Sequence, residues 1–256
     1  MGISFKINLD LYTNNFLVRI AADMVSLNTI LSAIDSGTYP NNNGSAVNGI
    51  TMYTTSPTVN DDLRSYEITK TFISMMRNVN DYMDRLIAIM LFVKKNHKLP
   101  RQFTDIGDVN EYVNNLILEE LIEYCSKTKD LFKTKLDYFS NLPAEFIKYM
   151  TTYNLLRNCY EHHKAISKST LQIPIKTWGI FTSDGKKVEI DKPIEGGTNI
   201  SVVWSQKNIQ VLRGEAVKLP YEDIVFTELY FHLMIPRLLI PQVVKTIEDS
   251  SGKSET

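Results

Sequence analysis

Apolar residues recur at steps of three and four along most of this chain, and that spacing falls on one face only in an α-helix. Between residues 9 and 34 the series is Leu11, Phe16, Leu17, Ile20, Met24, Leu27, Ile30 and Leu31. It predicts one amphipathic helix that ends in Asp35-Ser36-Gly37. A second helix is expected over 61–96, capped by Asn60 or Asp61, with an inward stripe of Leu63, Phe72, Ile73, Met76, Val79, Met83, Leu86, Ile87, Met90 and Leu91. Pro100 stops it. A third, over 109–139, carries Val113, Leu116, Ile117, Leu121, Ile122, Leu131, Phe132 and Leu136, and Asn141-Leu142-Pro143 separates it from a fourth over 144–168. Four helices in succession can bury their stripes only against one another, so the pattern predicts a helical bundle.

Two stretches depart from this period. Residues 38–60 are rich in Asn, Gly, Ser, Thr and Pro, cannot bury much, and read as a long surface loop. Beyond Ser169 the texture turns to short β-rich runs. Ile175–Phe181 and Lys187–Ile190 about a Ser183-Asp184-Gly185 turn predict one hairpin, and Asn199–Trp204 with Ile209–Leu212 a second. A last helix is expected over 221–248, bent or interrupted at Pro236 and Pro241. The expected class is mainly α: a bundle over residues 1–170, a small antiparallel β-hairpin or meander and a C-terminal helix over 171–248 packed on it, and a disordered tail over 249–256.

With only Cys125 and Cys159, both inside apolar helical patterns, no disulfide framework or cysteine-based zinc site is readable. The N-terminus has no basic segment followed by an apolar one, and Lys6 stands where a myristoylation signal wants Ser or Thr. The expectation is a cytoplasmic protein with neither export nor lipid. Ile224–Val244 approaches bilayer-spanning length, but Glu228, His232, Arg237 and two prolines interrupt it, so a buried or dimer-forming helix is expected rather than a membrane span. No phosphate-binding Gly loop, dinucleotide fingerprint, nucleophile motif or His-x-x-x-His pair occurs. Adjacent histidines at 162 and 163 diverge by ~100° on a helix and do not share an ion. No metal and no cofactor are expected.

The feature that conflicts with a purely structural helix is Arg157-Asn158-Cys159-Tyr160-Glu161-His162, a polar run inside an apolar pattern. At ~100° per residue, with Arg157 at 0°, Glu161 falls at ~40°, Asn158 at ~100° and His162 at ~140°, one polar arc. Leu155, Ile166, Cys159, Leu156, Tyr149 and Tyr160 fall between ~160° and ~300° as an apolar face, with His163 in its middle at ~240° as a partly buried packing residue. Arg157 and Glu161 are four residues apart, so a bland reading also stands: a helix-surface ion pair worth roughly 0.3–0.5 kcal/mol.

Arg157-Asn158-x-x-x-His162, on a late helix of a helical bundle, resembles the Arg-polar-x-x-x-His signature of the HEPN superfamily (higher eukaryotes and prokaryotes nucleotide-binding). The string Leu156-Arg157-Asn158-x-x-Glu161-His162 is similar to the Leu-Arg-Asn-x-x-Glu-His form of many bacterial members. The resemblance covers roughly residues 5–170. It implies a HEPN-like bundle and metal-independent RNA cleavage, with two copies of the motif brought together in a homodimer. Arg157, Asn158 and His162 would then be the active-site residues, in a toxin or phage-defence effector held by a cognate antitoxin or inhibitory protein. Lys164 stands where some members carry a Tyr modified by a nucleotidyltransferase antitoxin, so that particular partner is not implied.

The residue chemistry is compatible with this. Cleavage without metal needs a base for the ribose 2′-OH, an acid for the leaving 5′-oxygen, and positive charge on the phosphorane. His162 can fill one of the first two roles, and Arg157 suits bidentate contact with phosphate oxygens. One such His per chain leaves the other role to a second copy. Asn158 would orient the imidazole or bind phosphate, and Glu161 would support Arg157. From Lys127 to Lys192 there are twelve Lys and Arg against seven Asp and Glu, in a chain of net charge −1. Lys133, Lys164 and Lys168 are the candidates for RNA-backbone contact.

The rival reading is a non-catalytic HEPN-like module that binds nucleotide, RNA or protein. Exposed, convergent Arg157 and His162 would favour the nuclease; a buried Arg157–Glu161 pair would favour the module.

Overall fold

The structure, a computed structural model, describes residues 7–37, 46–47, 50–51, 57–95, 106–127, 132–163, 165–186 and 200–251. The chain is mainly helical, a helical bundle with a small antiparallel sheet and a C-terminal helix. The helices are α1 (Leu9–Asp35), α2 (Pro57–Lys94), α3 (Ile106–Lys127), α4 (Phe132–Asp137), α5 (Ala144–His162) and α6 (Tyr221–Ser251). Strand β3 (Leu171–Thr182) pairs with β4 (Ile200–Val211), and a two-residue pair, β1 (Ala46–Val47) with β2 (Ile50–Thr51), lies in the Asn-rich stretch. Of the same stretch 57–60 begin α2 and the remainder lies outside the described residues; of the expected disordered tail 249–251 instead end α6, and 252–256 lie outside the described residues.

Helix ends follow local chemistry. Asn8 caps α1 by accepting the Leu11 N–H on its side-chain oxygen at 3.2 Å, and Gly37, at φ 68°, closes the other end. α2 opens four residues earlier than the apolar stripe indicates, at Pro57, whose fixed φ and missing N–H suit a first turn. The helix expected over 109–139 is described in two stretches, α3 and α4, and residues 128–131 between them lie outside the described residues. Near the end of α3, Ser126 Oγ donates back to the Glu123 carbonyl at 2.9 Å.

Two compact units share the long helices. One comprises 1–22, 75–151 and 231–256; the other comprises 23–74 and 152–230.

The first unit is built on the middle of α2. From Tyr82 to Met90 every residue except Arg85 is buried, so this segment is covered on all sides and not on one stripe. Phe16 of α1 stacks on Tyr82, with ring centroids 4.5 Å apart, and Thr13 hydrogen-bonds the Tyr82 hydroxyl at 2.9 Å. Lys135 of α4 enters the same core. Its Nζ lies 2.6 Å from Asp84 Oδ1 and donates to Asn80 Oδ1 at 2.9 Å, with both charged residues buried. Lys95, just past α2, bridges Glu120 and Glu123 of α3 at 2.7 and 3.0 Å.

In the second unit Ser74 of α2 donates to Asp23 of α1 at 2.8 Å, and Arg64 pairs with Asp35. The C-terminal part of α1 therefore runs antiparallel to the N-terminal part of α2. β3 and β4 form one uninterrupted ladder from Leu171↔Val211 to Thr182↔Ile200, with Trp178 opposite Trp204. This corrects the second expected hairpin, Asn199–Trp204 with Ile209–Leu212. Ser205-Gln206-Lys207-Asn208 has turn-like composition, but it lies opposite Pro174-Ile175-Lys176-Thr177 across the ladder, and tertiary pairing overrides local propensity. The Thr182–Lys186 turn is present, with Gly185 at φ 81°; Lys187–Ile190 lie outside the described residues. Leu171, Ile173 and Ile175 point alternately inward, and Lys207 pairs with the fully buried Asp223 of α6.

α6 stays helical through Pro236 and Pro241. Phe231, Ile235, Leu239 and Val243 are fully buried at steps of four, and that packing holds a helix that loses two backbone donors. By length and composition alone α1 and α6 could each cross a membrane, and 28% and 33% of their apolar windows are buried.

Two outcomes are expected from the first unit. Lys135→Ala strands the Asp84 carboxylate in the core and costs about 3–5 kcal/mol in urea unfolding, whereas the double replacement Asp84→Leu, Lys135→Met recovers most of that loss. Tyr82 is held neutral by burial, its phenol pushed up from 10.0 to about 12, against a weaker opposing effect of the Thr13 bond. Between pH 10 and 12 only the unfolded chain gives up this proton, so the contribution is complete below pH 10 and is lost as pH rises to 12. A stability profile over that range should fall less steeply, by about one proton, in Tyr82→Phe.

Candidate site on the last turns of α5

α5 is fixed by its apolar side. Tyr149, Met150, Tyr153 and Leu156 are almost fully buried, and Cys159 and Tyr160 are buried beside them. In the second unit Phe72 packs edge-on against Tyr153 and Tyr160, with centroids 6.2 and 6.0 Å away. Burial drives the Tyr160 phenol far above its ordinary range, while Thr69 lies close enough to the hydroxyl to oppose the shift without making a well-aligned bond. The helix stops where Ala165, at φ 61°, turns its N–H onto the Cys159 carbonyl at 3.2 Å. Ala165 and Ser167 then bond along Glu215–Val217, which ties the end of α5 to the segment that follows β4.

The exposed face of α5 is not centred on the expected polar arc. Lys148, Leu155 and His162 face solvent, and Leu155, placed by the wheel at the edge of the apolar face, is 48% exposed. Arg157 and Glu161 instead lie on the flank of the buried face. Arg157 Nη2 meets Glu161 Oε2 at 2.6 Å, with the guanidinium side chain 25% and the carboxylate side chain 9% exposed. Arg157 Nε is buried and makes no hydrogen bond among the described residues. The pair is thus tighter and drier than the solvated i,i+4 pair that spacing alone describes.

His162 is on the last turn with its side chain 65% exposed, and its Nε2 lies 3.9 Å from the same Glu161 Oε2. That is too long for a hydrogen bond but near enough for attraction when the ring is protonated. One carboxylate therefore stands between a guanidinium bonded to it and an imidazole free to turn towards solvent. Asn158 is half-buried on the same turn, and His163 is half-buried, its ring centroid 6.3 Å from that of His162.

The lysine candidates separate. Lys168 is exposed just beyond α5 in the same unit, Lys164 lies outside the described residues, and Lys133, though exposed, belongs to the first unit. Lys135, counted with the positive segment in the sequence, is withdrawn into the core by Asp84. No group of three or more His, Cys, Asp or Glu that could hold a metal ion occurs among the described residues.

Chemically, the arrangement offers a proton-transfer group on the surface and a planar cation behind it. The cation is engaged until something more attractive than Glu161 displaces it. Compared with protein-family models, with curated proteins and with solved structures, the chain matches none.

The burial difference has a measurable consequence. Glu161→Ala removes the carboxylate from a half-buried guanidinium and should cost about 1–3 kcal/mol in urea unfolding. His162→Ala, at an exposed position, should change stability by no more than about 0.5 kcal/mol. Equal effects would show that the pair has no special structural weight.

Proposed function

We propose that this chain is a HEPN-like, metal-independent endoribonuclease whose active site is completed in a homodimer, acting in the cytoplasm as a toxin or defence effector under a cognate inhibitor. The observation that carries the reading is the exposed His162 imidazole beside the carboxylate that holds Arg157, three groups within six residues of one helix.

In this reading His162 takes the proton from a ribose 2′-OH. The 2′-oxygen attacks phosphorus, and the 5′-oxygen leaves with a proton from His162 of the partner subunit, giving a 2′,3′-cyclic phosphate. Arg157 moves from Glu161 to the phosphorane oxygens as charge builds there, a contact stronger in the transition state than in the ground state. Asn158 orients the ring or the phosphate, and Lys168 contacts the backbone beside it.

A second reading is favoured by one specific observation. The 2.6 Å Arg157–Glu161 bond, with its carboxylate nearly buried, occupies the guanidinium within a single chain. A protein that only binds RNA, nucleotide or a partner through the α5 face would keep that pair closed and use His162 as a surface contact.

Purified protein incubated with total RNA in excess EDTA separates the two. The nuclease reading predicts cleavage that persists in EDTA, leaves 2′,3′-cyclic ends, and falls by about 100-fold or more in His162→Ala and Arg157→Ala at matched folding and dimer content. Binding without cutting in a fluorescence-anisotropy titration favours the module. Cleavage unchanged in both variants would sink the assignment.

A further inference from the structure

Within the first unit, α1 and α2 enclose a cleft of about 100 Å³ lined by Tyr12, Asn15, Phe16, Arg19, Asn78, Asp81, Tyr82 and Arg85. It stands apart from the motif on α5 in chemistry and residues. The two helices present the same spacing to it: Tyr12, Asn15, Phe16 and Arg19 on one, and Asn78, Asp81, Tyr82 and Arg85 on the other, each at i, i+3, i+4 and i+7. The third members of the two sets, Phe16 and Tyr82, stack nearly parallel and form a rigid apolar floor. An arginine stands at the end of each set, and because Phe16 meets Tyr82 while Arg19 meets Asp81, the two arginines approach from opposite ends.

Arg85 is the decisive residue. It is the one position between Tyr82 and Met90 that is not buried, so the helix turns a guanidinium into the cleft from a segment otherwise wholly in the core. Among the described residues Arg85 makes no ion pair and no hydrogen bond, though its charge is felt at the Tyr12 phenol, where it works against a rise caused by burial. Arg19 is only loosely held. Its Nη1 lies 3.5 Å from Asp81 Oδ2, both side chains about half exposed, against the 2.7–2.9 Å of a well-made charged hydrogen bond. With one carboxylate between two guanidinium groups, the cleft carries a net positive charge.

We propose that this cleft is a binding site for a phosphoryl group, gripped by Arg85 and Arg19 with the Tyr12 hydroxyl and the Asn15 amide as further donors. Two planar forks with neutral donors between them supply more N–H and O–H groups than the two oxygens of a carboxylate can accept, and match the three or four oxygens of a phosphate. At about 100 Å³ the cleft is smaller than the roughly 150 Å³ cavity that admits benzene, a volume suited to a single phosphoryl group. The remainder of any larger phosphorylated molecule would project to solvent. Asp81 faces the same space and is the competitor that the ligand displaces from Arg19.

Calorimetric titration of the full chain with inorganic phosphate, in chloride buffer of fixed ionic strength, tests this without reference to RNA cleavage. The expected result is saturable one-to-one binding, weakened at least tenfold in Arg85→Gln and severalfold in Asn15→Ala. Arg85→Lys, which keeps the charge and loses the fork, should be intermediate, and Lys245→Gln unchanged. Near-UV dichroism shows whether each variant keeps its packing, and Asn15→Ala preserves the test if Arg85→Gln does not fold. Adenosine 5′-monophosphate binding as tightly as phosphate would support a group carried on a larger molecule, and its exclusion would support free phosphate. Linear, unsaturable heats, wild-type binding in both Arg85→Gln and Asn15→Ala, or acetate binding as tightly as phosphate would each overturn the proposal.

Discussion

The middle of α2 is buried on every side, and much of the first unit follows from that constraint. A helical segment with Tyr82, Met83, Leu86, Ile87, Ala88, Ile89 and Met90 all out of solvent must be covered around its whole circumference. α1 covers part of it through the Phe16–Tyr82 stack, and α4 another part through Lys135. Two polar side chains were retained inside this segment. Asp84 points at a cation brought by another helix, and Arg85 points at none. Neighbours in sequence, they diverge by about 100°, so one is sealed into the core while the other opens on a cleft.

The long helices were legible because their apolar residues keep one period over many turns. α1 matches its expected span to within a residue, and the buried face of α2 contains most of its expected stripe. What the period did not reveal was that α2 needs no polar side around Ile87, since Ala88 and Ile89 are off the stripe and equally buried. The sheet was legible in kind and not in register. Two β-rich runs identify strands, but nothing local in Ser205–Asn208 says that it will lie opposite Pro174–Thr177 and not fold back on itself.

The rotation of α5 was the subtler problem. Leu155 and Ile166 were assigned to the apolar face by type, which turned that face towards His162; in the structure both are about half exposed. The true centre of burial runs through Phe146, Tyr149, Tyr153, Leu156 and Tyr160, which brings Arg157 and Glu161 to its edge and leaves His162 in solvent. A helical wheel treats every apolar residue alike, whereas the large aromatic side chains decide which way a helix turns. Arg85 was missed for the converse reason. An arginine among apolar neighbours reads as an outward charge, and only the packing of α1 over Phe16 and Tyr82 makes that direction a cleft.

The cations of this protein can be ordered by what an incoming anion must displace. Lys135 is enclosed by Asp84 and Asn80 in the core, so no solute competes for it. Arg157 is held at 2.6 Å by a nearly buried carboxylate, so exchange there must overcome a short and largely desolvated bond. Arg19 is held at 3.5 Å by an exposed carboxylate that water solvates readily once released, and Arg85 requires no displacement among the described residues. The α1–α2 cleft can therefore take a simple anion at little cost. The α5 pair asks more, because an anion there must compete with a nearly buried carboxylate held at 2.6 Å.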